Sequence, residues 1–205
     1  MDLDLLPPII LAIAEQRSLD AVLSAIATAV ADQPNVALAR VWLRDTDRSC
    51  PVCARTLPAS PDEALHLRAS AGRPLNPASD WTRVDGAFHR IPLDERLKIA
   101  HIASRGVPIR IDRLDGSNGW MKFPDWVEAE QLRGFAGRPL VFRGETLGVL
   151  GVFRRVELDD GCWEWLRILS DAAAVAVKNA RTLDEAESLR RALELERDYL
   201  REEVR

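Results

Sequence analysis

Apolar residues recur along the first third of the chain at two spacings, and each spacing predicts a different element. After Ser18 they follow at intervals of three and four residues, which predicts an amphipathic helix with Ser18 as its N-cap. A shorter helix, opened by Pro8, is predicted before it. Residues 36–44 are apolar on both faces apart from Arg40, which indicates a central strand. Apolar and polar side chains alternate over 64–70, as in a strand with one buried face.

The rest of the chain predicts four more strands and a long terminal helix. The predicted elements are a strand at 88–93, a helix at 94–104, a strand at 107–112, a short helix at 124–133, and strands at 135–143 and 146–155. Gly144 can supply the positive φ that a tight hairpin turn between the last two strands requires. From residue 160 onward the pattern is helical, for about 70 Å at 1.5 Å per residue. We predict an α+β fold with one six-stranded antiparallel sheet and helices on its faces.

Composition narrows the class of protein. The 205 residues predict one domain with some chain left over, and the 47% hydrophobic and 29% charged residues exclude a mostly disordered chain. The net charge of −4 excludes a large basic surface for nucleic acid. No apolar run approaches the roughly 18 residues of a spanning helix, and the acidic N-terminus is unlike a secretory signal. We therefore expect a cytoplasmic protein without direct contact to nucleic acid or membrane.

The last part of the terminal helix has a different character from the rest. Beyond residue 180 it is rich in Glu and Arg, and a narrow apolar stripe runs through it near heptad spacing. The stripe consists of Leu183, Leu189, Leu193, Leu200 and Val204. Because such a helix gains most of its stability from a partner, we predict a domain over 1–180 and a dimerisation segment over 181–205. The N- and C-terminal helices would join two copies, whereas the alternative interpretation is a solvated helix end.

Three stretches of the chain carry a resemblance to a known family. Residues 134–140 (GFAGRPL) and 144–151 (GETLGVLG) are similar to the last hairpin of GAF sheets, and 92–112 resembles the third strand, cross-helix and fourth strand. This resemblance to the GAF domain family covers about residues 18–180. It implies the GAF fold with helices on both sheet faces, a long C-terminal signalling helix and a pocket for a small-molecule ligand. It also implies that the terminal helices lie on the face opposite the pocket and dimerise.

Residues 195–205 (LERDYLREEVR) resemble a narrower group of proteins. They are similar to the segment that joins a GAF sensor to the AAA+ ATPase in sigma-54-dependent transcription activators of the formate hydrogenlyase activator type. The chain has no Walker A sequence, so the resemblance implies the sensory part of a bacterial transcription regulator, with the ATPase downstream. Alternative interpretations attach the same sensor to a histidine kinase or a cyclase, or make the domain a dimerisation spacer without a ligand.

An enzymatic alternative exists within the same fold. Free methionine sulfoxide reductases are GAF proteins that use a reactive cysteine near the cross-helix. The corresponding stretch here, residues 94–101, contains no cysteine. The sequence also lacks a serine nucleophile elbow and an HExxH motif, so we expect a binding module rather than an enzyme.

Polar and aromatic residues along the predicted pocket elements are candidates for ligand binding. They are Trp42, His66, Arg68, His89, Leu97, His101, Ile109, Trp120, Trp126 and Phe135. Arg68 could bind a carboxylate or phosphate if the polar face of its strand meets the pocket, but alternation alone permits a solvent-facing strand as well. Trp120 and Trp126 could cover an apolar ligand or cap the core beneath a loop. The identity of the ligand stays open.

A Cys-x-x-Cys motif, Cys50 and Cys53, is the candidate metal or redox site. Two thiolates at this spacing can bind one zinc or iron ion, and His66 could supply a third ligand. Cys162 could be the fourth if the fold brings it near. The alternatives are no cofactor at all and a pair of thiols without a metal.

Overall fold

The computed structural model of the chain describes residues 1–56, 60–94, 96–115 and 123–203. Its helices are α1 (Leu6–Ala14), α2 (Leu19–Ala31), α3 (Cys53–Thr56), α4 (Lys98–Arg105), α5 (Pro124–Ala129) and α6 (Asp160–Glu203). Its strands are β1 (Val36–Thr46), β2 (Glu63–Gly72), β3 (Arg90–Pro92), β4 (Ile109–Ile111), β5 (Gly134–Phe142) and β6 (Glu145–Arg154).

The strands form one six-stranded sheet in the order β3-β2-β1-β6-β5-β4, and every neighbouring pair is antiparallel. The predicted fold class is confirmed, including the long terminal helix. β1 lies between β2 and β6, and both of its faces are buried because its side chains belong to the cores on the two sides of the sheet, as its apolar sequence indicated. Gly144 has φ +83° in the turn between β5 and β6, a conformation that glycine adopts without steric cost.

Two apolar cores lie on opposite faces of the sheet. One contains Leu23 and Ile26 of α2 together with Trp165 of α6. Ser18 caps α2 as predicted, because its hydroxyl accepts a hydrogen bond from the Ala21 N–H at 3.3 Å. The other core lies under α4 and α5 and includes Trp42, which also belongs to the site described below.

A pair of glycines lets α4 approach this second face closely. Gly137 of β5 is paired with Gly151 of β6. A Cβ atom built at Gly137 would overlap Cδ1 of Ile102, a fully buried residue of α4. The close contact between α4 and the sheet therefore depends on the missing side chain at Gly137.

Replacing Gly137 with alanine is expected to lower the free energy of unfolding by about 1–3 kcal/mol, the usual cost of overpacking a core. Urea unfolding measures this change. Gly86→Ala is the matched control, because a Cβ at Gly86 meets no atom within 4 Å and an unobstructed surface change stays within about 0.5 kcal/mol. A Gly137→Ala variant as stable as this control would contradict the packing argument.

The elements around α4 are shorter than the sequence predicted. The helix begins at Lys98 rather than at residue 94, since the Asp94 carboxylate accepts the Arg96 N–H at 3.2 Å and forms a local turn. β3 and β4 have three residues each instead of six. The chain on either side of each strand turns away from the sheet to reach the loops around the site.

The terminal helix α6 packs on the sheet only along its first half. Among its described side chains, Ala180 is the last that is buried. Polar contacts follow it. Arg181 donates to the Asp45 carboxylate and to the Arg44 carbonyl, each at 3.3 Å, and the Leu19 N–H donates to Asp184 at 3.2 Å. From residue 185 to residue 200 every side chain is exposed. The division between domain and linker at residue 180 stays a prediction.

None of the helices in the described part of the chain is both long enough and apolar enough to cross a membrane.

Candidate functional site

A cavity of about 440 Å³ lies on the sheet face covered by α4 and α5. This is the size of a pocket for a small organic ligand, which typically measures about 300–1,000 Å³. The described residues that line it are Arg40, Trp42, Trp81, Ala87, Phe88, Ile91, Leu97, Lys98, Ile99, Leu114, Phe123, Trp126, Val127, Phe135 and Phe153.

Aromatic rings form nearly half of its described lining. Seven of the described lining residues are Trp or Phe, and several contact one another. Trp126 packs edge-on against Phe153, with ring centroids 5.3 Å apart, and its ring lies 5.9 Å from that of Trp81. On the other side Phe88 packs edge-on against Phe123 at 5.7 Å. Such mutually supported rings offer a flat apolar surface to a ligand.

The charged side chains among the described lining residues, Arg40 and Lys98, are both cationic. The Arg40 guanidinium donates to the Ser70 hydroxyl at 3.2 Å, and the Lys98 ammonium lies 4.9 Å from the Phe135 ring centroid. Burial lowers the pKa of both groups, because a low-polarity environment disfavours the charged forms. No carboxylate lines the described part of the cavity, so its electrostatics favour an anionic group on the ligand.

A second cluster of chemically active side chains lies at the edge of the sheet formed by β2 and β3. It consists of Cys50, Cys53, His66 and His89, whose ligand atoms all lie within 4.8 Å of one another. Each cysteine and His66 is about 1% exposed, and His89 is partly buried. The two cysteines lie on one short turn, since the Ala54 N–H donates to the Cys50 carbonyl at 2.9 Å.

The two histidines reach the cysteines from different segments. His66 belongs to β2, and its Nδ1 atom lies 3.5 Å from Cys53 Sγ. His89 precedes β3, and its Nε2 atom lies 3.3 Å from Cys50 Sγ and 3.2 Å from Cys53 Sγ. Burial raises the pKa of the Cys53 thiol to about 11 and lowers the pKa of His66, so without a metal both groups are neutral at pH 7.

The remaining ring nitrogens also have acceptors nearby. His89 Nδ1 lies within hydrogen-bonding distance of the Val84 carbonyl, and His66 Nε2 lies 3.5 Å from the Asp47 carboxylate. Arg90 donates to the same carboxylate at 2.7 Å and holds the pKa of Asp47 below its usual value. The Val84 carbonyl thus fixes the orientation of the His89 ring, whereas His66 Nε2 lies near a carboxylate but has no hydrogen-bond partner among the described residues.

The structure separates the predicted pocket residues into several groups. Trp42, Leu97, Trp126 and Phe135 line the cavity. His66 and His89 belong to the cysteine cluster instead. His101 of α4 and Ile109 of β4 are not among the described lining residues, although Ile109 packs against the core on that face. Trp120 lies outside the described residues.

The assignment of Arg68 to the pocket requires correction. Leu65 and Leu67 belong to the core on the pocket face, so strand alternation directs Arg68 to the opposite face. There its guanidinium contacts Asp20 of α2 at 2.6 Å. Cys162 is also remote from the other cysteines, because it belongs to the core on the α6 face and contacts the Met1 sulfur.

The two cationic pocket residues stand out in the sequence. Arg40 interrupts an otherwise apolar strand, and Lys98 is one of three lysines in the chain. The additional aromatic residues are Trp81 and Phe88 from the loop between β2 and β3, Phe123 directly before α5, and Phe153 near the end of β6. The role of His89 has no such signal in the sequence, because only the folded loop before β3 brings it to the cysteines.

The model of a protein family described as "GAF domain" matches residues 18–177. No curated protein matches the chain significantly. Among solved structures, the GAF domain of an Acinetobacter phosphoenolpyruvate-protein phosphotransferase is 21% identical with a TM-score of 0.62, over 88% of this chain and 94% of that one. A methyl-accepting chemotaxis protein fragment is 22% identical with a TM-score of 0.61, over 85% and 98%. At these identities the likeness concerns the fold.

A third similar structure is an enzyme. The free methionine-R-sulfoxide reductase from Neisseria meningitidis, solved in complex with its substrate, is 17% identical with a TM-score of 0.60. The match covers 86% of this chain and 88% of the reductase.

Proposed function

We propose that this chain, which belongs to the GAF domain family, is a sensory regulatory domain whose pocket binds a small aromatic or apolar anion. The observation that carries this proposal is the cavity of about 440 Å³, with aromatic walls and two cationic side chains. The aromatic surface supplies most of the affinity by burying apolar area. Arg40 and Lys98 select for negative charge, which costs less to bury beside a cation.

Three naphthyl compounds of similar size test the charge preference. Naphthylacetate is an anion, naphthylethanol is neutral and naphthylethylamine is a cation. Isothermal titration calorimetry is expected to show the anion binding about tenfold tighter than the neutral compound, with the cation weakest. Equal affinities for the anion and the cation would overturn the proposed ligand class.

The location of binding is tested with two tryptophan variants. Trp126→Ala removes a ring from the cavity wall and is expected to weaken naphthylacetate binding by about tenfold, the value of about 1.5 kcal/mol of lost ring contact. Trp163→Ala is the matched control, because Trp163 lies on α6 and is not among the described residues that line the cavity. The Arg138 guanidinium carbon lies 4.4 Å from the centroid of its ring. Equal loss of naphthylacetate binding in both variants would contradict binding in the cavity.

The signal leaves the domain through α6 in a dimer. A groove between α1 and α6 is lined by apolar residues such as Ile10, Ile13, Val175 and Leu183. Val175 and Leu183 are about half exposed, and the stripe continues along the same helix through the exposed Leu189, Leu193 and Leu200. Because the groove and the stripe are continuous, we propose that a second copy of the chain covers both the groove and the stripe. The last member of the stripe, Val204, lies outside the described residues.

Leu193→Glu is expected to weaken this dimer by about 2 kcal/mol, or more than tenfold in its dissociation constant, because a carboxylate would enter an apolar seam. Sedimentation velocity measures the change, and circular dichroism checks the fold. Leu195→Glu is the matched control, since Leu195 is 73% exposed on the same helix but lies off the stripe. Equal dimer strength in both variants would argue for a solvated helix end.

The effector is proposed to be an AAA+ ATPase of the sigma-54-dependent activator type, in a cytoplasmic transcription regulator. Its support is the resemblance of residues 195–205 and the long exposed end of α6. The coding sequence beyond residue 205 tests this: a Walker A motif supports it, and a histidine kinase or cyclase core overturns it.

A role without catalysis is proposed for the pocket. None of its described lining residues is a cysteine, and the three cysteines lie in the β2–β3 edge cluster and on α6. A thiol-based reduction has no nucleophile at this cavity. Turnover of free methionine sulfoxide with thioredoxin as reductant would overturn this and favour the reductase alternative.

A further inference from the structure

We infer that Cys50, Cys53, His66 and His89 bind one zinc ion as a closed tetrahedral site. Four donors of the type that zinc prefers converge at one point in the fold. They come from a Cys-x-x-Cys turn, from the middle of β2 and from the loop before β3, so the site joins three segments that are separate in sequence.

Three of the distances between the donor atoms match those of a tetrahedral shell, and the other donor pairs lie within 4.8 Å. With Zn–S near 2.3 Å and Zn–N near 2.0 Å, tetrahedral geometry places sulfur and nitrogen about 3.5 Å apart. The observed sulfur–nitrogen distances are 3.2 Å and 3.3 Å for His89 and 3.5 Å for His66. An ion at the centre is therefore reached by all four atoms with small side-chain adjustments.

The outer partners of the histidines fit the same assignment. A metal-bound imidazole usually donates its second N–H to a carbonyl or carboxylate, which fixes the tautomer. His89 has the Val84 carbonyl at its Nδ1 atom, leaving Nε2 toward the sulfurs. His66 has the Asp47 carboxylate near Nε2, leaving Nδ1 toward Cys53. The two rings thus present opposite nitrogens to the metal. The Val84 carbonyl sets the tautomer of His89. The Asp47 carboxylate, 3.5 Å from His66 Nε2, favours a proton on that nitrogen without forming a hydrogen bond.

Zinc is favoured over other metals by the donor set and the burial. Two thiolates and two imidazoles suit tetrahedral zinc, and two thiolates neutralise its charge. The described cluster offers four protein ligands, so no coordination position is left for a substrate. A closed shell of this kind is typical of structural zinc sites rather than catalytic ones.

The zinc site also adjoins the ligand pocket, and this second step rests on the proposed function. Phe88, the residue before the ligand His89, lines the cavity, and its carbonyl accepts a hydrogen bond from the Trp42 indole at 3.0 Å. His89 itself is tied to β2, since the Leu67 N–H donates to its carbonyl at 2.7 Å. Zinc bound to His89 would therefore hold one wall of the pocket in place.

Metal analysis of the purified chain tests the site directly. We expect equimolar zinc after gel filtration, and cobalt added to the metal-free chain should give the visible absorption of tetrahedral Co²⁺ with thiolate charge-transfer bands. Cys50→Ser and His89→Ala are expected to lose both signals. Cys162→Ser and His101→Ala are the matched controls and should retain them, because neither residue belongs to the cluster.

Asp47→Asn is expected to weaken zinc binding without abolishing it. The affinity for the metal should fall by about 10–100-fold, as for other outer partners of metal ligands.

If the ligand variants fail to fold, X-ray absorption at the zinc edge of the wild-type chain decides whether the cluster binds zinc. A shell of two sulfurs and two nitrogens supports the site. Iron as the bound metal, a shell without sulfur, a Cys50–Cys53 disulfide in the metal-free protein as purified, or full zinc retention in Cys50→Ser would overturn it.

Naphthylacetate titration with and without zinc tests the link to the pocket. Removal of zinc is expected to weaken naphthylacetate binding by about tenfold. This value applies if the pocket wall at Phe88 is correctly placed in only about a tenth of the zinc-free molecules. Equal affinities overturn the link but leave the zinc site standing on its metal content. Binding of naphthylacetate to neither form contradicts the proposed pocket function, again without affecting the metal measurement.

Discussion

Removing zinc is expected to lower the free energy of unfolding by about 4 kcal/mol, the value for a ligand present at a thousand times its dissociation constant. The cluster joins the turn that carries Cys50 and Cys53 to β2 and to the loop before β3, so the metal stabilises only the folded arrangement. For a chain of this length the change corresponds to a fall in melting temperature of roughly 8–16 °C. Calorimetry before and after dialysis against a chelator measures it.

The same dialysis applied to two variants separates metal loss from other effects of the chelator. A Cys50→Ser/Cys53→Ser double variant is expected to melt at one temperature in both buffers, since it has no zinc to lose. Cys162→Ser is expected to show the full difference, because its sulfur contacts Met1 on the other side of the sheet. Identical melting of the wild-type chain with and without chelator would contradict a stabilising metal.

The arrangement of helices and strands follows closely from local pattern. An apolar stripe at helical spacing, one capping serine and a glycine turn were enough to place α2 and the last hairpin. The boundaries around α4 were less predictable, because the Asp94 side chain prefers a local turn to a helix cap. Pattern determines whether an element exists, while its ends depend on competing side-chain hydrogen bonds.

Pocket residues could be predicted from the sequence where the side chain is large and apolar and therefore has to be buried. Trp42 and Phe135 are large apolar residues on strands, and both line the cavity. Alternation places Arg68 and His66 together on the face opposite Leu67, but it does not say which face meets the pocket. That choice is made by the helices: α4 covers the face of Leu67, and α2 covers the face of Arg68.

The sequence predicts only part of the metal cluster. Cys50 and Cys53 are three residues apart, so their common turn is visible in the sequence. His89 is 36 residues after Cys53 and reaches it only because β3 pairs with β2 beside His66. Contacts that require a sheet register are not encoded in any local window of the chain.

Replacing Lys98 with methionine is expected to weaken naphthylacetate binding by about tenfold or more. A hydrogen bond to a charged group is worth about 1.5–3 kcal/mol, and every 1.4 kcal/mol is tenfold in affinity. Methionine keeps most of the side-chain length that packs over Phe135. Naphthylethanol should bind both forms within about twofold, and Lys98→Arg should keep the preference for the anion. Equal losses for the anion and the neutral compound would show that Lys98 contributes packing rather than charge.

The pH dependence of binding gives an independent check on the same side chain. Burial lowers the pKa of Lys98 in the free protein, and a bound anion favours the protonated form and raises that pKa again. The complex therefore holds more protons than the free protein at alkaline pH, so affinity falls as pH rises through the pKa of free Lys98. Because this pKa is lowered, the fall should begin below the ordinary lysine value of about 10.4. Lys98→Met should bind naphthylacetate with constant affinity over the same range, and an unchanged slope in that variant would assign the titration to another group.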